Sequence, residues 1–146
     1  MLIRTKKSID VEHFWKIWIR LIDLTNNGSA VIVEGYRDKI ALEKLHITRN
    51  VVILQKYGLS KTVDYLRTRY NQAVILTDFD KEGEYLAKNL FNILTVEGIH
   101  VDQSIRNELR KILSKIRQIE NLNTIADHLN EKAPFYLYNG SSFTQI

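Results

Sequence analysis

The chain has 146 residues and no cysteine, a single proline, six glycines and one methionine. Without cysteine, disulfides, thiolate metal sites and cysteine nucleophiles are excluded, and an oxidising compartment gains no support. The scarcity of proline and glycine leaves no low-complexity linker. No run approaches the roughly 18 consecutive apolar residues of a membrane span. The first 24 residues do not read as a signal peptide, because Asp10, Glu12, His13, Lys16, Arg20 and Asp23 interrupt their apolar positions. The expectation is therefore a cytoplasmic protein without a membrane partner. His13, His46, His100 and His128 are scattered without ligand spacing, which argues against a zinc site.

Hydrophobic residues make up 45% and charged residues 26%, the balance of a globular, helix-rich domain. A net charge of +4 and a pI near 9.3 suit a polyanionic partner without establishing one. Asp10 is placed to cap a helix over 11–24, in which Val11, Phe14, Trp15, Trp18 and Ile22 recur at helical spacing. The segments 30–33, 51–54 and 73–76 are short and apolar throughout, and 99–101 is a fourth candidate strand. Amphipathic helices are expected between and after them: 38–45, 60–70 with Ser60 as N-cap, 82–95 and 105–119, with a shorter one over 124–130. Apolar strands alternating with helices imply a parallel sheet covered on both faces.

Acidic residues sit at the ends of two of these strands. Glu34 follows the first in VIVEGYRDKIAL, and after 43 intervening residues Asp78, Asp80 and Glu82 follow the third in VILTDFDKEGE. In a parallel α/β sheet, ligands bind beyond the carboxyl ends of the strands. Alternate residues of an extended segment share a direction, so Asp78 and Asp80 are expected to converge, with Glu82 approaching from the first helical turn. Such an oxygen-only set suits Mg²⁺ or Mn²⁺. Gly83 is expected to let the chain pass close to whatever is bound. An Asp-x-Asp alone is more often a helix cap; the second cluster at a matching strand edge favours a metal site.

The two motifs together resemble the glutamate motif and the DxDxE motif of the Toprim domain, found in topoisomerases, bacterial primases, recombination proteins and the endonucleases that mature 5S ribosomal RNA. The resemblance covers about 30–119. LTDFDKEGE is most like the topoisomerase and maturation-nuclease versions, VEGYRD most like the primase and maturation-nuclease versions, and the overall plan is similar to small stand-alone archaeal Toprim proteins. It implies a Rossmann-like parallel sheet of about four strands with helices on both faces. The expected organisation is an N-terminal helical extension over 1–28, a Toprim domain over 29–119 and a C-terminal helix and tail over 120–146, in one compact body. By the same resemblance Glu34 is the acid/base glutamate and shares the metal with Asp78, Asp80 and Glu82. Asp38, which ends the first motif, is expected to orient Glu34 or a water, or simply to cap the next helix, and Gly35 belongs to the same turn.

A metal-dependent phosphodiesterase follows, with an endoribonuclease or RNA-processing factor as the leading expectation. The alternatives are a non-catalytic module that docks a phosphate on the metal, or a subunit completed by another protein in a topoisomerase-, primase- or repair-type complex. Nucleic acid is the expected partner, RNA ahead of DNA on the resemblance alone. Arg106, Arg110, Lys111, Lys115 and Arg117, read as the outward stripe of helix 105–119, together with Lys61, are candidate phosphate contacts. In KYGLSKT the glycine before the lysine is replaced by Ser60, so a Walker loop is rejected, while Gly58 stays a candidate for close approach to a phosphate. Trp15 and Trp18 are read as either a partner anchor or core, and Tyr36, Tyr57 and Tyr85 as packing or surface residues.

Overall fold

The computed structural model describes residues 9–137. Four parallel strands, β1 (Ala30–Val33), β2 (Val51–Ile53), β3 (Gln72–Ile75) and β4 (His100–Val101), form one sheet in the order β2-β1-β3-β4. The helices are α1 (Val11–Asn26), α2 (Tyr36–Lys44), a single turn α3 (Leu54–Tyr57), α4 (Leu59–Arg69), α5 (Lys81–Val96), α6 (Ser104–Ile112) and α7 (Leu122–Asn130), with a 3₁₀ turn at Ile119–Asn121 before α7. This is the expected Rossmann-like arrangement.

Period-two alternation along the strands divides the core between the two faces. Val31, Val33, Val74 and Leu76 pack with α1, α2, α6 and α7, whereas Ala30, Ile32, Ala73 and Ile75 pack with α4 and α5. Both faces are buried, which is why the strands read as unbroken apolar runs. The chain leaves β1 for β2 through α2 on one face, then returns past β1 to β3 through α4 on the other. The direction of winding therefore reverses between β1 and β3, and the helices that follow these strands, α2 and α5, diverge to opposite faces. A crevice at their carboxyl ends results.

Asp10 caps α1, accepting from the His13 N–H at 3.0 Å. Trp15 and Trp18 are core residues, 3% and 0% exposed, and their indole N–H groups donate to the carbonyls of Leu129 and Leu45, both at 2.8 Å. Packing of α1 on the sheet, not a partner, accounts for both. Tyr36, Tyr57 and Tyr85 are exposed.

Two expectations are corrected. Ser60 is not the cap of α4; the helix begins at Leu59 after Gly58, whose φ of +83° breaks the chain between α3 and α4. The helix expected over 105–119 stops at Ile112. Beyond it, backbone groups of Arg117 and Ile119 bond to residues 78–79 and not to their own helix, a tertiary preference that no local periodicity reports.

Trp18→Phe would leave the buried Leu45 carbonyl without its donor and open a small void. A loss of about 1–3 kcal/mol in urea-unfolding stability is expected.

Candidate metal centre at the carboxyl ends of β1 and β3

Glu34 directly follows β1, and Asp78 lies three residues beyond the end of β3. Strand pairing sets Ile32 opposite Ile75, and the Leu76 N–H donates to the Ile32 carbonyl at 2.7 Å, so the two acidic ends emerge side by side. The contact between them is direct: the Asp78 N–H donates to Glu34 Oε2 at 2.8 Å. A cleft of about 360 Å³ opens there, lined by Glu34, Gly35, Tyr36, Arg37, Asp38, Gln55, Asp78 and Glu120.

The remaining site residues are held by helix starts. Asp38, 6% exposed, accepts from the Gly35 N–H at 2.9 Å and closes the first turn of α2, so capping describes its contact. Asp80 caps α5, accepting from the Gly83 N–H at 2.8 Å. Glu82 is exposed in the first turn of α5. Gly83 packs against the protein itself, not a ligand: a Cβ there would stand 2.0 Å from the Asp78 carbonyl oxygen. The neighbouring Thr77 hydroxyl donates to the Gly83 carbonyl at 2.7 Å.

Burial, set against the hydrogen bond from Asp78, raises the Glu34 carboxyl above its ordinary value, and the charges of Asp78, Asp38 and Asp80 push the same way. Burial likewise raises Asp38, with Asp78 and Glu120 contributing, and Asp78, with Asp80 and Glu120 contributing. Neighbouring like charges thus add to the effect of burial at each group, while Arg106 opposes it at Asp78.

The region 28–104 matches the Toprim domain model. The chain belongs to the Toprim family. Small archaeal UPF0292 proteins are its relatives: one from Thermococcus kodakarensis is 40% identical over 110 residues, covering 74% of this chain and 82% of the relative. Another from Methanosarcina acetivorans is 30% identical over 136 residues, covering 92% and 90%. Among solved structures, a protein from Aquifex aeolicus superposes with a TM-score of 0.62 at 32% identity, over 71% of this chain and 94% of that one. Toprim domains are generally metal-dependent nucleic-acid-processing modules, and the acidic edge of this one lies within the matched region.

The donor set of this Toprim chain consists of hard carboxylate oxygens, as Mg²⁺ or Mn²⁺ requires. Asp78, Asp80 and Glu34 each commit one oxygen to a backbone N–H, and the other oxygen has no hydrogen-bond partner among the described residues. The expected tight convergence of Asp78, Asp80 and Glu82 is not formed: among the described residues no three acidic or histidine side chains are close enough to cage an ion. Such a set fits a cation that keeps several waters and takes one or two carboxylates together with a substrate phosphate.

Arg106 also departs from expectation. It is 5% exposed and faces the core, so it is not part of an outward basic stripe. Its Nη1 donates to the carbonyls of Thr77 at 2.7 Å and Ile75 at 3.3 Å, its Nη2 donates to the Asp78 carbonyl at 2.8 Å, and Nη2 pairs with Glu84 at 3.2 Å. The guanidinium carbon lies 5.0 Å from the Phe79 ring centre. The strand end needs a buried donor for its free carbonyls, and α6 supplies it. Arg110 is half-buried and pairs with Glu84 through Nε at 2.7 Å, whereas Lys61, Lys111, Lys115 and Arg117 are exposed. Gly58 takes a positive φ, whereas Gly35 precedes α2 in extended backbone and leaves room for the Gln55 side chain.

Sequence reasoning missed Glu120, Gln55 and Tyr36 as lining residues. Tyr36 and Gln55 lie just beyond the carboxyl ends of β1 and β2, a position that itself signals the sheet edge. Glu120 carries no such signal, since only the tertiary fold returns residue 120 to this edge.

Two outcomes are expected. Arg106→Lys replaces a forked donor with a point charge and should lower urea-unfolding stability by about 2–3 kcal/mol. Because the folded pKa values of Glu34, Asp38 and Asp78 are raised, the folded state binds more protons than the unfolded state between the ordinary and raised values, so stability falls as pH rises through the raised values. The metal-free protein is therefore stabilised by this cluster on going from neutral pH towards the ordinary carboxylate range. Burial alone would raise Glu84 too, but Arg110 and Arg106 hold it below its ordinary value, which acts in the opposite sense. Comparing the pH dependence of unfolding for wild type and Glu34→Gln isolates the cluster, and the variant should show the smaller gain.

Proposed function

We propose that the chain is a Mg²⁺- or Mn²⁺-dependent phosphodiesterase acting on nucleic acid, as an endoribonuclease or RNA-processing factor. The observation that carries this reading is the pairing of Glu34 with the Asp78 N–H at the β1/β3 crevice, where burial raises the carboxyls of Glu34, Asp38 and Asp78 together. A bound divalent cation supplies neutralisation of charge on the phosphoryl oxygens and acidification of water.

The chain's own residues divide the remaining work. Asp78, Asp80 and Glu34 would hold the cation through the oxygens not spent on backbone donors, with Glu82 reaching it through water from the first turn of α5. Glu34, raised by burial, takes a proton from the attacking water or returns one to the leaving oxygen, and a carboxyl displaced towards the working pH is the better proton carrier. Asp38 fixes the Gly35 turn and with it the direction in which the chain leaves Glu34. Lys111, Lys115 and Arg117, exposed at and beyond the end of α6, and Lys61 on α4 meet backbone phosphates. RNA is preferred to DNA because VEGYRD and LTDFDKEGE are shared most fully with the maturation-nuclease versions of the motifs.

A second reading, a module that binds nucleic acid without turnover, alone or within a larger complex, is favoured by one observation: among the described residues no three-carboxylate cage is formed.

Mn²⁺-dependent cleavage of structured RNA should be lost in Glu34→Gln and in Asp80→Asn. Undiminished cleavage by both variants would refute the assignment, and salt-sensitive binding without cleavage by the wild type would select the second reading.

A further inference from the structure

The Toprim match ends at residue 104, yet the chain returns to the acidic edge at 117–121. Amphipathic periodicity would carry α6 to Ile119, but the helix ends at Ile112 and the following backbone turns towards β3. There the Phe79 N–H donates to the Arg117 carbonyl, and the Ile119 N–H donates to Asp78 Oδ1 at 2.9 Å. Ile119 and Leu122, 1% and 0% exposed, anchor the turn in the core on either side of Glu120. Glu120 itself is half-buried, lines the cleft with Glu34, Asp38 and Asp78, and pairs with no cationic side chain among the described residues.

We infer that the segment 117–121 is a working part of the cation site, its backbone positioning the Asp78 carboxylate and its Glu120 adding a carboxylate to the cleft wall. The inference rests on the metal-dependent reading above. An N–H donated to a carboxylate is a charge-assisted bond that selects one orientation of the group. It leaves the second Asp78 oxygen for a ligand. Four carboxylates line this cleft against the single guanidinium of Arg37, and none of them forms a salt bridge among the described residues; such crowding is unfavourable in the metal-free protein, and a divalent cation in the cleft relieves the repulsion. Glu120 is thus a metal- or water-holding residue, and Ile119 a positioning residue that acts through Asp78.

The experiment is Mn²⁺ binding to the full chain, followed by calorimetry and by electron paramagnetic resonance of the free ion. Ile119→Pro removes the donor while suiting the backbone, since Gln118 is already extended at φ −116° and ψ 132° and residue 119 opens a helical turn. Ile119→Ala removes comparable packing and keeps the donor. The proline variant should bind Mn²⁺ about tenfold more weakly than the alanine variant, the scale of losing an outer-shell partner of a metal ligand. Glu120→Gln, which leaves the backbone untouched, should bind about tenfold more weakly than wild type, with no fall in the metal-free melting temperature. Wild-type affinity in Glu120→Gln overturns the role of the carboxylate, and equal affinities of the two Ile119 variants overturn the positioning by the backbone. Absence of Mn²⁺ binding by the wild type overturns the metal-dependent reading itself, so the two failures are distinguishable.

Discussion

The buried guanidinium of Arg106 gathers what would otherwise be an unsatisfied strand end. The carbonyls of Ile75, Thr77 and Asp78 all accept from it, and its charge is met by Glu84 at the start of α5. A strand that runs out of partners inside a protein must find donors elsewhere. Here one side chain supplies them and ties α5, α6 and the acidic loop into a unit. Its Nε is buried without a partner among the described residues, so the arrangement carries a desolvation cost, which the bonds to the other nitrogens offset. Everything proposed for the site depends on the backbone from Thr77 to Asp80 keeping this path.

The path is fixed from several sides. Glu34 accepts from the Asp78 N–H, Arg117 and Ile119 contribute one acceptor and one donor, and Gly83 fits beneath the Asp78 carbonyl only because it has no Cβ. The carboxylates are thereby half-buried and brought close to one another, and burial first, then the neighbouring negative charges, raises Glu34, Asp38 and Asp78. This is the electrostatic condition under which a divalent cation binds with advantage. Membership of the Toprim family and this local electrostatic strain point in the same direction from independent grounds.

Much of the fold was legible because the strands are buried on both faces. Continuous apolar runs such as Ala30–Val33 are unmistakable when separated by helices with their own period, and Asp10 and Asp80 announce helix starts by side-chain chemistry. The place of Glu34 at the sheet edge was legible for a related reason: a carboxylate directly after an apolar strand has no local use. The errors share one cause. Helical period and capping preference point Arg106 outward, make Ser60 a cap and extend α6 to Ile119 because they are local, whereas a buried carbonyl in search of a donor is not. The same applies to Asp80 and Glu82, which strand alternation would converge on Asp78 but which helix initiation at Lys81 carries into the first turn of α5 and its N-cap.

The sequence by itself determined the layered parallel sheet, the two acidic strand ends and the absence of cysteine chemistry, since these follow from hydrophobic period, residue type and composition. Only the tertiary structure decided that α2 and α5 part at the junction of β1 and β3 and that Arg106 turns inward. It alone also returns Glu120 to the cleft from beyond the family's matched segment. Those outcomes depend on strand order and on backbone groups far apart in the chain finding one another. Such pairings are set by the need to satisfy buried hydrogen bonds, and no window of neighbouring residues contains that information.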